Sequence, residues 1–253
     1  MDIFEEAFEA LMKGDGFDDN SKLPTKLGIE DEIEDEVLNY RIDNLRYSQS
    51  MLSSFVRDRG EFFDKYIRSV FWSDSSEKDR EYEKNMSFGR DFHLNCERIF
   101  KDIPVYSDSS NEIARILKIK SQYYRVYEGY DIEFLPEYTI ELEDNIIATY
   151  DLIVKISRDG ELKNIFIWDW KMEKIIEHNA MKRMQTKVYM YVCKESIGRE
   201  LDFEKIVMYY YMPITNKNIK INYSKELHEQ NKEEIFGIIN KIRTYKRNEN
   251  KMF

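Results

Sequence analysis

A carboxylate and an amine, two residues apart, close an apolar segment in the second half of the chain. Residues 165–170 predict a β-strand, and Asp169 and Lys171 stand at its end. Because strand side chains alternate between faces, both should point to the same side, roughly 7 Å apart. A carboxylate can bind a metal ion, and an ammonium group can polarise water or stabilise an oxyanion. A simple ion pair at the end of the strand is the alternative.

A second acid lies inside the preceding strand. Residues 146–156 predict a strand whose even positions form one apolar face, with Asp151 on the other face. Aspartate is rare in strand interiors, and a half-buried carboxylate needs polar partners or a cation. The turn that ends in Gly160 predicts a hairpin, which would bring Asp151 close to Asp169. A divalent cation such as Mg²⁺ would offset the repulsion between the two carboxylates.

Two helical segments carry further polar candidates. A helix predicted over residues 181–196 places Gln185 and Tyr189 on one face, and an earlier helix does the same for Gly89 and His93. A surface amide, a half-buried phenol and a packing histidine are the alternatives. Glycine inside a helix costs about 1 kcal/mol relative to alanine, so this glycine predicts that another segment packs closely against it.

Taken in chain order, these residues resemble the PD-(D/E)XK nuclease superfamily, over about residues 47–212. The closest similarity is to the RecB-like branch, which includes the nuclease domains of RecBCD and AddAB and the CRISPR-associated RecB-like exonucleases. The matching pattern is Gly89-x-x-x-His93, Asp151, Asp169-x-Lys171 and Gln185-x-x-x-Tyr189. The resemblance implies an α/β fold with an αβββαβ core, in which helices flank a central mixed sheet, and a helical N-terminal annex.

The resemblance also implies a metal site. Asp151 and Asp169 would bind Mg²⁺ or Mn²⁺, and His93 and the backbone carbonyl of Trp170 would be further ligands. Glu137 lies where related sequences sometimes carry another acidic residue.

Three more residues would take part in catalysis if the resemblance holds. Lys171 would position and activate the attacking water or neutralise charge on the phosphate. Gln185 and Tyr189 would hold the scissile strand or orient Lys171. The implied activity is hydrolysis of DNA, exonuclease-like on single strands or free ends.

Some positions depart from the family pattern. Ala148 stands where a glycine is common, and Met172 where a threonine is common. The iron–sulfur members use four cysteines, but this chain has only Cys96 and Cys193, and position 57 is Arg57. Two thiolates cannot ligate a cubane cluster, so we expect none. Both cysteines lie in apolar helical patterns, which predicts buried thiols in a reducing, cytoplasmic protein.

The formal net charge of −10 is concentrated at the start of the chain. Residues 1–37 contain thirteen acidic and three basic residues, and the rest of the chain holds 36 of each. We therefore expect an acidic arm or docking segment over residues 1–46 and a nuclease domain over residues 47–253. The arm could be a disordered solubilising segment, a partner-docking segment or a DNA mimic. Basic side chains cluster around Lys182, Arg183 and Lys187, and again from Lys241 to the C-terminus.

The predicted elements agree with an alternating α/β order. Helices are expected over residues 48–70, 78–102, 111–128, 181–196 and 224–247, and strands over residues 138–142, 146–156, 162–170, 205–212 and 218–222.

A non-catalytic nucleic-acid-binding or complex-forming subunit that retains the fold is the main functional alternative. The third alternative is an enzyme that works only within a larger assembly, in which a helicase or integration machinery supplies the substrate. Any motor would be another chain, because this chain lacks an ATP-binding glycine loop. DNA repair and antiviral defence are the settings implied. No apolar run is long enough to predict a membrane span.

Overall fold

The computed structural model describes residues 35–69, 79–105 and 110–245. The acidic leader before residue 35 and the basic tail after residue 245, with Lys246, Arg247 and Lys251, lie outside this range. The helices are α1 Asp35–Asp43, α2 Gln49–Arg57, α3 Arg59–Phe62, α4 Asp79–Phe100, α5 Asn111–Val126, α6 Glu177–Ala180, α7 Met184–Glu195 and α8 Lys225–Tyr245. Among the described residues, no helix is both long and apolar enough to cross a membrane.

A mixed sheet forms the centre of the fold. Its strands are β1 Tyr47–Ser48, β2 Asp131–Glu141, β3 Ile146–Arg158, β4 Glu161–Trp170, β5 Ile206–Met212 and β6 Lys217–Asn222. Strand β3 is antiparallel to both β2 and β4, β4 and β5 are parallel, and β5 and β6 are antiparallel. Strand β1 pairs in parallel with the start of β3. The order α5, β2, β3, β4, α7, β5 confirms the predicted α/β core.

Two apolar clusters cover the two faces of this sheet. The first cluster packs α2, α7 and α8 against one face, with Leu52, Val188 and Ile239 fully buried. The second packs α4 and α5 against the other face through residues such as Phe92 and Ile116. Burial of a large aliphatic or aromatic side chain stabilises a fold by about 1.5–3 kcal/mol. The sheet is therefore a rigid platform between two helical layers.

Strand β3 changes the face on which its even residues are buried, and the change falls at Asp151. Ala148 and Tyr150 belong to the first cluster, whereas Leu152 and Val154 belong to the second. The expectation of one apolar face along the even positions was therefore wrong. The change coincides with an irregularity in the neighbouring strand: Glu137, which lies between the ladder pairs on either side of Asp151, has a φ of 50°. A residue in this left-handed region interrupts the strict alternation of a strand.

Two predicted elements have different bounds in the structure. Strand β2 begins at Asp131 rather than at residue 138, because six residue pairs with β3 hold residues 131–136 in the ladder despite Pro136. The helix predicted over residues 48–70 is broken at Asp58, which is extended at φ −153° and ψ 115°. Its side chain accepts a 3.0 Å hydrogen bond from the Glu61 backbone N–H and so begins a new helix, α3.

Candidate metal and hydrolytic site

Three acidic residues form a row across three neighbouring strands. Glu137 lies on β2 between two residues that pair with β3, at the point where it faces Asp151. The β3–β4 ladder has its last pair at Leu152 and Trp168, so Asp151 and Asp169 lie directly beyond its end on neighbouring strands. The hairpin prediction, which places the two aspartates close together, agrees with this register.

Asp169 is the most deeply buried member of the row, with 1% of its side chain exposed. Its Oδ1 accepts a 2.6 Å hydrogen bond from Gln185 Nε2. Its Oδ2 lies 2.7 Å from the amine of Lys171, so the two side chains point to one side as the strand pattern predicts. The contact is an ion pair rather than a well-directed hydrogen bond, and Oδ2 has no hydrogen-bond partner among the described residues.

The charged form of Asp169 is disfavoured in this environment. Burial raises the pKa of the carboxyl from 3.8 to about 7, and the negative charge of Asp151 adds to the rise. The Lys171 amine lowers the same pKa, but the effect of desolvation is larger. A divalent cation nearby would favour the ionised form, and a buried acid held in this way is typical of a functional site.

Asp151 connects the row to helix α4. Its Oδ2 accepts a 2.7 Å hydrogen bond from the Trp170 backbone N–H, and its Oδ1 lies 3.4 Å from His93 Nδ1. The other ring nitrogen, His93 Nε2, lies 3.2 Å from the backbone oxygen of Trp170. Burial alone would lower the pKa of His93, but the hydrogen bond and charge of Asp151, with the charges of Asp169 and Glu137, raise it. The imidazole can donate to both oxygens when it is protonated, whereas binding of a metal ion requires the neutral ring.

His93, Glu137 and Asp151 each offer a ligand atom, and these three atoms lie within 4.8 Å of one another. Desolvation and the charge of Asp151 raise the pKa of Glu137, as expected for a carboxyl close to like charge. One imidazole nitrogen and carboxylate oxygens suit Mn²⁺, and the carboxylates also suit Mg²⁺. The group of close ligand atoms found among the described residues therefore includes Glu137. It does not include Asp169, which lies on β4 next to Trp170.

Gln185 and Tyr189 come from one face of α7, as their spacing predicts, but they contact different partners. Gln185 holds Asp169. The hydroxyl of Tyr189 donates to the backbone oxygen of Thr149, two residues before Asp151. The hydroxyl of Tyr150 in turn donates to the Tyr189 backbone oxygen at 2.9 Å, and the two rings lie 4.7 Å apart. Tyr189 therefore fixes α7 to the part of β3 that carries the acid.

A supporting pair beneath Asp169 was missed in the sequence. Tyr210 is the residue on β5 that faces Asp169, and its hydroxyl lies 2.8 Å from the hydroxyl of Thr186. Thr186 donates to the backbone oxygen of Ala180 at 2.6 Å, so Tyr210 must donate to Thr186. Tyr210 lies within a run of three tyrosines, which is typical of an ordinary hydrophobic core and gave no sign of a role at the site. Thr186 directly follows Gln185, and this adjacency was the one sequence signal that could have identified the pair.

Gly89 has a neighbour of the kind its position predicts. The side chain of Met172, which follows the catalytic candidate Lys171, lies 3.4 Å from the place a Cβ would take at Gly89. This is an ordinary van der Waals distance, so packing at this point would also accept an alanine. The small residue Ala148 is buried beside the site, and Cys96 and Cys193 are buried free thiols, as predicted.

Comparison with protein families agrees with this geometry. A model of the PD-(D/E)XK nuclease superfamily matches residues 46–251. The chain belongs to the PD-(D/E)XK nuclease superfamily. Members of this superfamily are generally hydrolases that cut nucleic acids with the help of divalent metals, and the donor group of His93, Glu137 and Asp151 fits such a metal. No curated protein matches the chain significantly in sequence.

Proposed function

We propose that this PD-(D/E)XK protein is a metal-dependent deoxyribonuclease of the RecB-like branch, which acts as an exonuclease on single strands or free ends. The observation that carries the proposal is the row of acids beside an amine. A buried carboxylate, a second carboxylate opposite it and the Lys171 ammonium lie together at the end of β4. That combination is the one needed for hydrolysis of a phosphodiester bond.

The metal ligands in this proposal are Asp151, Asp169, His93 and the Trp170 carbonyl, and the closeness of its carboxylate to His93 and Asp151 supports Glu137 as a further ligand. A Mg²⁺ or Mn²⁺ ion held by these residues would lower the pKa of a water molecule and stabilise negative charge on the phosphate. The protein's part is to hold its donors in place. The Trp170 backbone does so for Asp151, to which its N–H donates at 2.7 Å.

Lys171 would share the charge that develops on the phosphate. Its side chain is 20% exposed, so the amine can contact a substrate or a water molecule while it stays close to Asp169. Gln185 is a positioning residue in this scheme, because it fixes Asp169 rather than the substrate. Tyr189 is a positioning residue for β3. Orientation of this kind typically affects metal affinity or activity by about 10- to 100-fold.

The wider setting is part of the same proposal. Residues 47–253 would be the catalytic domain and residues 1–46 an acidic arm or docking segment. Two buried free thiols support a reducing, cytoplasmic location. An exonuclease without a motor of its own would suit the processing of DNA ends in repair or antiviral defence, where a helicase in another chain unwinds the duplex.

A cleavage assay on Lys171→Gln tests the proposal, with Lys174→Gln as the matched control, since Lys174 is an exposed amine three residues further along. Purified protein is incubated with end-labelled single-stranded, linear duplex and circular DNA, and with RNA, in Mg²⁺, Mn²⁺ or chelator. We expect metal-dependent cleavage of linear DNA by the wild type and Lys174→Gln, and a loss of more than about 100-fold in Lys171→Gln, with DNA binding retained.

Each other result is informative. Full activity of Lys171→Gln would contradict the mechanism. Binding without cleavage by the wild type in either metal would favour the non-catalytic alternative. Cleavage of circular DNA would contradict the exonuclease assignment, and cleavage of RNA alone would contradict the choice of substrate.

A further inference from the structure

A groove of about 260 Å³ lies on the face of the sheet that helix α5 covers. Helix α5 forms one wall and strands β4, β5 and β6 form the floor. Its lining is mainly aromatic, with two carboxamide side chains and no charged residue, and it includes Tyr127, Phe166, Trp168, Tyr209, Gln122 and Asn218. The groove is distinct from the metal site, because none of its lining residues is one of the candidate metal ligands.

The aromatic floor is held in place before any ligand arrives. The rings of Trp168 and Tyr209 stack at 4.5 Å with an angle of 18° between their planes. The indole N–H of Trp168 donates a 2.7 Å hydrogen bond to the Tyr123 hydroxyl, which fixes the orientation of the indole. Tyr209 is only half-buried and forms the outer ring of the stack. A ligand that binds here therefore meets a preorganised π surface and pays little for ordering it.

The chemistry of the lining suits a nucleobase. A flat aromatic ligand can stack on Tyr209, while the amides of Gln122 and Asn218 can donate to and accept from polar atoms on its edge. The absence of charge among the lining residues suits a neutral ring better than a phosphate or a charged peptide. The volume is below the usual range for sites that hold drug-sized ligands, about 300–1,000 Å³, so it suits one base rather than a large cofactor.

Basic side chains stand where the backbone of such a ligand would pass. Register pairs Tyr209 with Lys220, so both project from the same face of the sheet, and Lys220 is exposed. Lys118 is also exposed and lies one helical turn before Gln122 on α5. A stacking ring flanked by amines is the usual arrangement for binding single-stranded nucleic acid.

We propose that this groove binds one base of a single-stranded nucleic acid, with Tyr209 as the stacking residue and Lys220 as a phosphate contact. The identity of the polymer rests on the proposed nuclease function, but the groove itself does not. A strand held on this face lies outside the metal site and would anchor the substrate during cleavage.

Binding can be measured without cleavage by titrating a fluorescein-labelled hexathymidine oligonucleotide into the full-length protein in chelator and following fluorescence anisotropy. Tyr209→Leu keeps an apolar side chain but has no ring to stack on, whereas Tyr209→Phe keeps the ring. We expect Tyr209→Leu to weaken binding by between about 5-fold and about 100-fold, and Tyr209→Phe to bind as the wild type does. Circular dichroism checks that both variants are folded.

Lys220→Ala tests the phosphate contact against Lys217→Ala on the same strand. Lys217 is exposed but pairs with Met212, which belongs to the opposite face. Loss of one phosphate contact should reduce the slope of log binding constant against log salt by about 0.7 for Lys220→Ala and leave Lys217→Ala unchanged.

The outcomes separate this proposal from the nuclease assignment. Equal affinity of folded Tyr209→Leu and wild type for the oligonucleotide would overturn the groove proposal. This is also the result expected if a protein segment, rather than a nucleic acid, occupies the groove. Cleavage that persists without single-strand binding would overturn the groove alone. Tyr209-dependent binding without any cleavage would retain the groove and contradict the nuclease function.

Discussion

Asp169→Asn should make the metal-free protein more stable at pH 8, although it removes a residue proposed to be catalytic. The folded state raises the pKa of this carboxyl from 3.8 to about 7, chiefly by burial. Between these pH values the folded chain binds more protons at Asp169 than the unfolded chain does. The contribution of Asp169 to stability is therefore unfavourable above the raised pKa and disappears as pH falls below the ordinary one.

The size of the effect follows from the same two values. Each pH unit between them is worth about 1.4 kcal/mol, so ionised Asp169 costs the folded state about 4 kcal/mol at pH 8. Asparagine keeps the oxygen that accepts from Gln185 but leaves the partly exposed Lys171 amine without its counterion. We therefore expect a net gain on the order of 2 kcal/mol, or a melting temperature roughly 4–8 °C higher.

Thermal unfolding in chelator at pH 5 and pH 8 measures the gain. The variant should exceed the wild type in melting temperature by more at pH 8 than at pH 5, because the cost of ionised Asp169 in the folded state keeps growing up to its raised pKa. Glu133→Gln is the control, because Glu133 is an exposed acid paired with Lys155 and should shift little at either pH. A variant that is equally or less stable than the wild type at pH 8 would refute the reasoning. Addition of Mn²⁺ at pH 8 should stabilise the wild type and narrow the difference.

The remaining predictions concern the donors and the packing. Gln185→Ala should lower metal-dependent cleavage by about 10- to 100-fold, because the buried carboxylate loses its orienting hydrogen bond; unchanged rates would contradict this role. Glu137→Gln should weaken Mn²⁺ binding in calorimetry, whereas Glu141→Gln on the same strand should not; equal affinities would remove the glutamate from the site. Gly198→Ala should cost about 1–3 kcal/mol in urea unfolding, since its Cβ would lie 2.7 Å from an isoleucine side chain and 3.0 Å from a backbone oxygen. Gly237→Ala, within α8 and with no described atom within 4 Å of the new Cβ, should stabilise by about 0.5–1 kcal/mol.

Local periodicity was enough to identify several parts of the site. The two-residue spacing of Asp169 and Lys171 places both on one side of any strand, and the structure has them 2.7 Å apart. The four-residue spacing of Gln185 and Tyr189 places both on one side of any helix. The α/β core and the two buried thiols were also predicted from local patterns, because each depends on the order of apolar and polar residues within short segments.

Local periodicity could not predict the departures from regular structure. The break at Asp58 depends on a capping hydrogen bond that competes with helix continuation. The change of face at Asp151 coincides with the positive φ of Glu137, which lies fourteen residues earlier and on another strand. A pattern along one strand carries no information about an irregularity in its neighbour.

The sequence by itself determined which residue types face the same side, because the repeat of a strand or helix is a property of the backbone. Only the tertiary structure decided that Glu137 and His93 meet Asp151, that Asp169 is desolvated, and that Tyr189 contacts the backbone of β3. These features depend on the distance between segments remote in the chain and on the water that packing excludes. Burial and approach, unlike periodicity, arise only when the whole sheet and its two helical layers come together.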